Sequence, residues 1–294
     1  MAAALRRDVV VVSRPKLTSD FKKENLGSKA IVNEYPYNIG VRSIASLFSP
    51  KQKVQAGSNY SWALPELTRR LGQYPLGSIA EVGSRDGLDG LALSRHFKCP
   101  VQMFEPDPQN ILLCEQTIAK SLDHTPVILH KVALSETTGL TDFYTVDQET
   151  YNNPGVAGLY QLDFSNRPAR DPDRGRGSVN KLTRVQAFRF DELGLPSPDL
   201  LFMDVEGAEL NVLRGFGSML SEVKAIVLES SFWNTYRGGG STFPEVSAYL
   251  EEHGFNFVSS NNRGRTAGKF PMARKTRSYL GQYEAAFDSL WMRM

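Results

Sequence analysis

From residue 79 onward, short apolar runs alternate with amphipathic stretches of about ten residues, and this rhythm constrains the fold more than any other feature. IAEV (79–82) runs into a glycine-bearing turn and a helical stretch over 88–97. VQMF, a helix around ILLCEQTIAKSL and a strand VILHKVAL follow. Strand, helix, strand, helix, strand calls for right-handed crossovers and a parallel sheet covered on both faces, so the class is α/β. Beyond it come LTDFYTV, a polar segment over 146–180, VQAFRF, DLLFMDV, a helix ELNVLRGFGSML, the strand KAIVLESSF and a helix FPEVSAYLEEHG. FNFVSS and AFDSLWMRM close the chain and read as a hairpin around a loop rich in Gly, Lys and Arg. No fixed period recurs, which excludes solenoids and propellers.

Upstream, WALPELTRRL has helical spacing and is stopped by Pro75 and Gly77. Residues 1–60 carry no sustained period, and the apolar run Val9–Val12 is short, so they read as an arm or cap on a domain spanning 61–294. Tyr35, Tyr37, Tyr60 and Trp62 suit a lid, a dimer contact or plain packing. A chain of 294 residues with 41% hydrophobic and 22% charged content is a soluble globular protein rather than a fibrous or disordered one. With 34 Lys and Arg against 32 Asp and Glu, the net charge of +2 gives no global field for nucleic acid or membrane. Cys99 and Cys114 cannot make a disulfide framework, and four scattered histidines have no zinc spacing, which points to a reducing compartment. No run approaches the roughly 18 apolar residues of a membrane span. Arg6, Arg7 and Asp8 leave no signal-peptide core. The expected location is cytoplasmic, with an organelle transit peptide left open by Arg6, Arg7, Arg14 and Lys16 against the single acid Asp8.

Three places carry chemistry. In SIAEVGSRDGLDG, the strand contains Glu81 and meets Gly83, with Gly87 at the start of a helix. Glycines there bring backbone N–H groups close to a ligand, and the helix N-terminus favours a carboxylate or phosphate. Arg85 stands where a dinucleotide fingerprint needs its second glycine, which disfavours NAD and leaves a small-molecule cradle or an ordinary tight turn. In VQMFEPDP, Glu105 ends the next strand and is placed to accept both hydroxyls of a ribose, while Asp107 before Pro108 suits a helix N-cap. In DLLFMDVEGAELNVLRGF, the strand delivers Asp204, then Glu206 and Glu209 open a helix. These acids can take a proton, hold a divalent cation, bind a hydroxyl or complement the helix dipole. Glu229 closes AIVLE in the same manner. His130 on the third strand reads as a packed residue before it reads as a catalyst.

Together EVGSRDG, FEPDP, HKVALSETTG, VQAFRFDEL and above all MDVEGAELNVLRG followed by AIVLES resemble the FkbM-type family of S-adenosylmethionine-dependent methyltransferases, over roughly 78–292. The resemblance implies a Rossmann-like, seven-stranded class I methyltransferase sheet, mostly parallel with the last strand antiparallel, and methyl transfer to a hydroxyl of a sugar, glycan or small natural product. It places Glu81, Gly83, Ser84 and Gly87 at the methionine part of the cofactor, Glu105 at the ribose, and Ala133, Leu134 and Ser135 at the adenine. Asp86 and Pro106 complete the cofactor set. Asp204 lies near the methyl-bearing sulfur, with Glu206 beside the acceptor and Glu229 at the neighbouring strand end, so that these three form the catalytic set. Met203 departs from the pattern, which often has a lysine there.

The acceptor's proton goes to a carboxylate or histidine, or a divalent ion such as Mg²⁺ held by Asp204 and Glu229 lowers the hydroxyl pKa. The segment 151–180 reads as a long loop in which Tyr151, Tyr160 and Phe164 stack on an acceptor and Arg167, Arg170, Arg174 and Arg176 hold an anionic one, or as a mobile surface loop. The acid-free segment with Arg263, Arg265, Lys269, Arg274, Lys275 and Arg277 suits phosphate or is merely solvated. Nucleic-acid amine methylation lacks its expected N/D-P-P-Y turn, since NNPG at 152–155 misses the second proline and the aromatic. A silent methyltransferase-fold binding module is opposed by the intact Glu81, Gly83, Gly87, Glu105 and Asp204. A homodimer is compatible with all of these readings.

Overall fold

The computed structural model describes residues 9–11, 59–72, 75–121, 126–146, 151, 153–166, 179–232, 236–261 and 286–293. Tyr35, Tyr37, the four arginines at 167–176 and the basic residues at 263–277 lie outside the described residues.

Three fully buried four-residue strands sit at the centre: β2 (Ile79–Val82), β3 (Val101–Phe104) and β9 (Leu200–Met203). Covered on both faces, they read as continuous apolar runs rather than alternating ones. Around them run β1 (Val9–Val11), β4 (Val127–His130), β10 (Ala225–Ser230), β12 (Phe255–Ser260) and β13 (Phe287–Arg293), in the order β1-β4-β3-β2-β9-β10-β13-β12. Strands β4, β3, β2, β9 and β10 are parallel, whereas β13 is antiparallel to both β10 and β12. Apart from β1, this is the expected seven-stranded sheet with a reversed last strand, and β12 and β13 form the expected hairpin. β1 adds an eighth strand, antiparallel to β4 from Val9 opposite His130 to Val11 opposite Ile128.

Helices cover both faces: α1 (Leu64–Leu71), α2 (Leu88–Phe97), α3 (Pro108–Lys120), α4 (Glu209–Gly215) and α5 (Phe243–Glu252). The caps follow from sequence. Asp107 accepts the N–H of Gln109 at 2.8 Å, and Thr242 with Glu245 closes a capping box on α5. One apolar cluster gathers Phe190, Phe216, Leu250 and Trp291, and a second gathers Leu67, Leu91, Ile118 and Phe202. Met203 is fully buried in the first. Tyr60 belongs to the second, 3% exposed with its ring 4.9 Å from Phe202, so at this position packing is the role observed.

Three expectations are corrected. VILHKVAL is not one strand: the N–H of Glu105 takes the carbonyl of His130, which ends the ladder, and β5 (Ala133–Leu134) then pairs with β8 (Asn180–Phe188). With β6 (Gly139–Val146) these make a separate three-stranded sheet. The helix ELNVLRGFGSML stops at Gly215, because Phe216 turns inward to stack on Phe190 (4.2 Å) and Gly217, left-handed at φ 54°, opens a 3₁₀ turn over Gly217–Glu222. The third concerns the segment 151–180, whose described part is structured. A 3₁₀ turn at Pro154–Val156 is followed by a two-way backbone bridge between Gly158 and Tyr144, and β7 (Gln161–Leu162) pairs with β11 (Tyr236–Arg237). Val156, Leu162 and Phe164 bury against Val146 and Val179, which gives this polar stretch an apolar core of its own. Phe164 is 1% exposed and is therefore not available to stack on an acceptor.

Candidate active site

Val82 lies opposite Phe104 on one side and Met203 on the other, so the chain leaves all three central strands at one level, as Gly83, Glu105 and Asp204. The neighbours of β2 run off in opposite directions there, which opens a crevice at the carboxyl edge of the sheet. A cavity open to solvent occupies the crevice, with about 500 Å³ of empty space when the solvent it opens onto is included. Of the predicted cofactor residues, Gly83, Glu105, Pro106, Ala133, Leu134 and Asp204 line it, while Glu81, Ser84, Asp86, Gly87 and Ser135 do not.

The second group shapes the turn and its surroundings. The N–H groups of Gly83 and Ser84 both bond the carbonyl of Phe104 (2.9 and 3.3 Å), and the carbonyl of Ser84 accepts the N–H of Gly87 at 2.7 Å. Asp86 accepts the N–H of Leu88 at 3.1 Å as α2 begins. Glu81 lies beneath the turn, 1% exposed, where a Cβ on Gly90 would stand 2.6 Å from its Oε2. Burial pushes its carboxyl well above the ordinary range. Ser135 is buried and its N–H bonds Phe188, holding β5 to β8. Gly83 is left-handed (φ 84°), and a Cβ there would collide with the carbonyl oxygen of Asp204. The N–H of Asp204 in turn bonds the carbonyl of Val82 at 3.0 Å.

Arg85 and Asn110 are wall residues that the sequence did not assign. Arg85 is held at φ 50° and its N–H donates to Glu105 Oε2 at 2.7 Å. Glu105 Oε1 accepts from the N–H of Asp107 at 2.8 Å. Burial pushes the Glu105 carboxyl up to about 8, against those two backbone donors and Asn110, which favour its charged form. His130 is a packed residue: Nε2 pairs with Gln102 Oε1 at 2.7 Å and its ring stacks on Phe104.

On the opposite lip, ligand-type oxygens of Asp204, Glu206 and Glu229 lie within 4.8 Å of one another, though of the three only Asp204 is part of the cavity wall. Glu206 is left-handed at φ 53°, and Tyr236 donates its hydroxyl to Glu206 Oε2 at 2.5 Å. Burial, then the charges of Asp204 and Glu206, holds Glu229 well above the ordinary carboxylate range. Burial, then the charges of Glu206 and Glu229, holds the Tyr236 phenol high, so it stays protonated and donates. Glu209 points inward, accepting from the N–H of Gly207 (3.1 Å) and the hydroxyl of Ser241 (2.9 Å), with burial raising it to about 7. Tyr236 went unassigned because it reaches Glu206 only through the β7–β11 pairing. A roof formed by Gly155 and Ala157–Leu159 completes the cavity.

A seven-strand order with one reversed strand, and a ligand crevice at its carboxyl edge, is the architecture of a class I methyltransferase. Residues 81–257 match the family model of the methyltransferase FkbM domain, and the chain belongs to that family. It is 31% identical over 174 residues to the 2-O-methyltransferase NoeI of Sinorhizobium fredii, a match that covers 54% of this chain and 65% of that protein, just under two thirds of its length. Among solved structures, a methyltransferase FkbM from Methylobacillus flagellatus is 14% identical, with 74% of this chain and 43% of that chain covered at a TM-score of 0.43. The magnesium protoporphyrin IX methyltransferase of Synechocystis, solved with SAM bound, is 10% identical, with 79% and 77% covered at a TM-score of 0.39.

Proposed function

We propose that this chain methylates a hydroxyl oxygen of a small molecule or glycan, using S-adenosylmethionine. The observation that carries the reading is the meeting of Gly83, Glu105 and Asp204 on one cavity wall at the carboxyl edge of the sheet. The relative's naming as a 2-O-methyltransferase favours oxygen as the acceptor atom.

The residues present fit the cofactor. Gly83 brings the backbone of the turn to the cavity wall, Glu105 is an acceptor for ribose hydroxyls, and Val132, Leu134, Phe143 and Leu159 supply an apolar slot for the base. Arg85 is the cation at the edge of the turn for the cofactor's carboxylate. When bound, S-adenosylmethionine supplies a methyl group on a cationic sulfur, already activated toward a nucleophile.

The protein's share is positioning and proton removal. Asp204, the acid of the trio on the cavity wall, takes the acceptor's proton. Glu206, held by Tyr236, and the protonated Glu229 orient the hydroxyl. An acidic lip favours a neutral hydroxyl over a phosphate at the reacting point. The trio also has the hard oxygen donors of an Mg²⁺ site; loss of transfer in chelator, restored by Mg²⁺, would assign it that second role.

Calorimetric titration with S-adenosylmethionine, NAD and ATP tests the reading. Saturable binding of the sulfonium alone is expected, followed by transfer of labelled methyl to a hydroxylated acceptor. Absence of binding at millimolar cofactor overturns it.

A further inference from the structure

Asn110 lies in the first turn of α3 and forms part of the cavity wall, 4% exposed. Its side chain lies beside Glu105, close enough to favour the charged form of that carboxyl. The side-chain oxygen, Oδ1, is buried and has no hydrogen-bond partner. A carboxamide facing a carboxylate must present its NH₂, since two oxygens repel, so the Glu105 contact fixes which way the oxygen is turned. A bare acceptor in a protein interior is costly, and native structures seldom leave one without a reason. The Glu105 carboxyl accepts from the N–H of Arg85 on one oxygen and from that of Asp107 on the other, and with the Asn110 amide facing it still keeps a lone pair. Glu105 and Asn110 therefore offer acceptors side by side at the cavity wall. The complement of that edge is a ligand group with two adjacent donors.

We infer that Asn110 Oδ1 and the Glu105 carboxyl each receive one hydroxyl of a ribose 2′,3′-diol, which makes Asn110 a binding residue that selects ribosides over deoxyribosides. This deepens the cofactor reading above and rests on it.

The test is titration calorimetry with S-adenosylhomocysteine and its 2′-deoxy and 3′-deoxy counterparts, on the wild type and on Asn110→Leu. Asn110→Ser, which also withdraws the oxygen, serves if the leucine variant loses its unfolding transition. The wild type is expected to bind each deoxy compound roughly tenfold more weakly, the size of one hydrogen bond to a buried acceptor. In the variant, one of the two penalties disappears and the other stays. Both penalties persisting, or an equal loss for all three ligands, overturns the role of Asn110. A wild type that binds none of the three overturns the cofactor reading instead, so the two failures are distinguishable.

Discussion

Along one lip of the cavity, residues 105–110 supply an acid, a helix cap and an orphaned amide oxygen within six consecutive positions, whereas the facing lip draws Asp204, Glu206, Glu229 and Tyr236 from three separate segments. The first is held by backbone N–H groups that the strand-to-helix turn presents in any case. The second depends on side chains brought together by the sheet order and by the short β7–β11 ladder. A lip made locally is rigid and tuned for binding; one assembled over long range can be altered one residue at a time without disturbing the other.

The largest effect on stability is expected where the two lips touch. Gly83→Ala puts a methyl group against the carbonyl of Asp204 and demands a left-handed alanine, so stability should fall by about 2–3 kcal/mol in denaturant titration. An unchanged midpoint would show that the lips are not in contact. Asp204→Asn should cut methyl transfer by about 10²–10⁴-fold while leaving S-adenosylhomocysteine affinity within roughly threefold. A parallel loss of affinity would mean that the separation of roles fails.

Glu105→Gln does the reverse, weakening binding by about tenfold with little effect on turnover at saturation. Because ligand hydroxyls favour the ionised carboxyl, wild-type affinity should rise as pH climbs through about 8, and the variant's should stay flat. Stability moves the other way. A carboxyl raised from its ordinary 4.5 to about 8 in the folded state contributes stability below pH 4.5 that is lost as pH rises through 8, so the glutamine variant should gain on the wild type across that window. The smallest change is Tyr236→Phe, which removes the hydroxyl from Glu206 but keeps the ring; turnover should drop by about fivefold, the worth of one hydrogen bond near 1 kcal/mol, with cofactor affinity unaltered.

The same contrast explains what could be read from the chain. The ends of the three central strands, the glycine turn, the Asp107 cap and the reversed last strand depend on near neighbours or on the family resemblance, and all appear as expected. Glu81 and Glu105 both stand near the ends of apolar strands, yet only the position after the final paired residue puts Glu105 on the wall and leaves Glu81 under the turn. The split of VILHKVAL depends on a carbonyl being taken by Glu105, and the roof depends on Val156, Leu162 and Phe164 finding Val146 and Val179. Neither partner is adjacent in sequence. Tyr236 and the orientation of the Asn110 amide belong with these, since spacing along the chain does not say which atom a side chain meets.

The fit of Gly83 against Asp204 bears on how such chains are to be recognised. Room for a side chain at residue 83 is denied by the sheet's own main chain, before any ligand arrives. A descendant that had given up catalysis would still need glycine there in order to fold. That glycine therefore marks descent from this architecture and says little about activity, whereas Asp204's carboxylate and Asn110's amide, which the main chain does not require, are the positions where loss of the proposed function would first become visible.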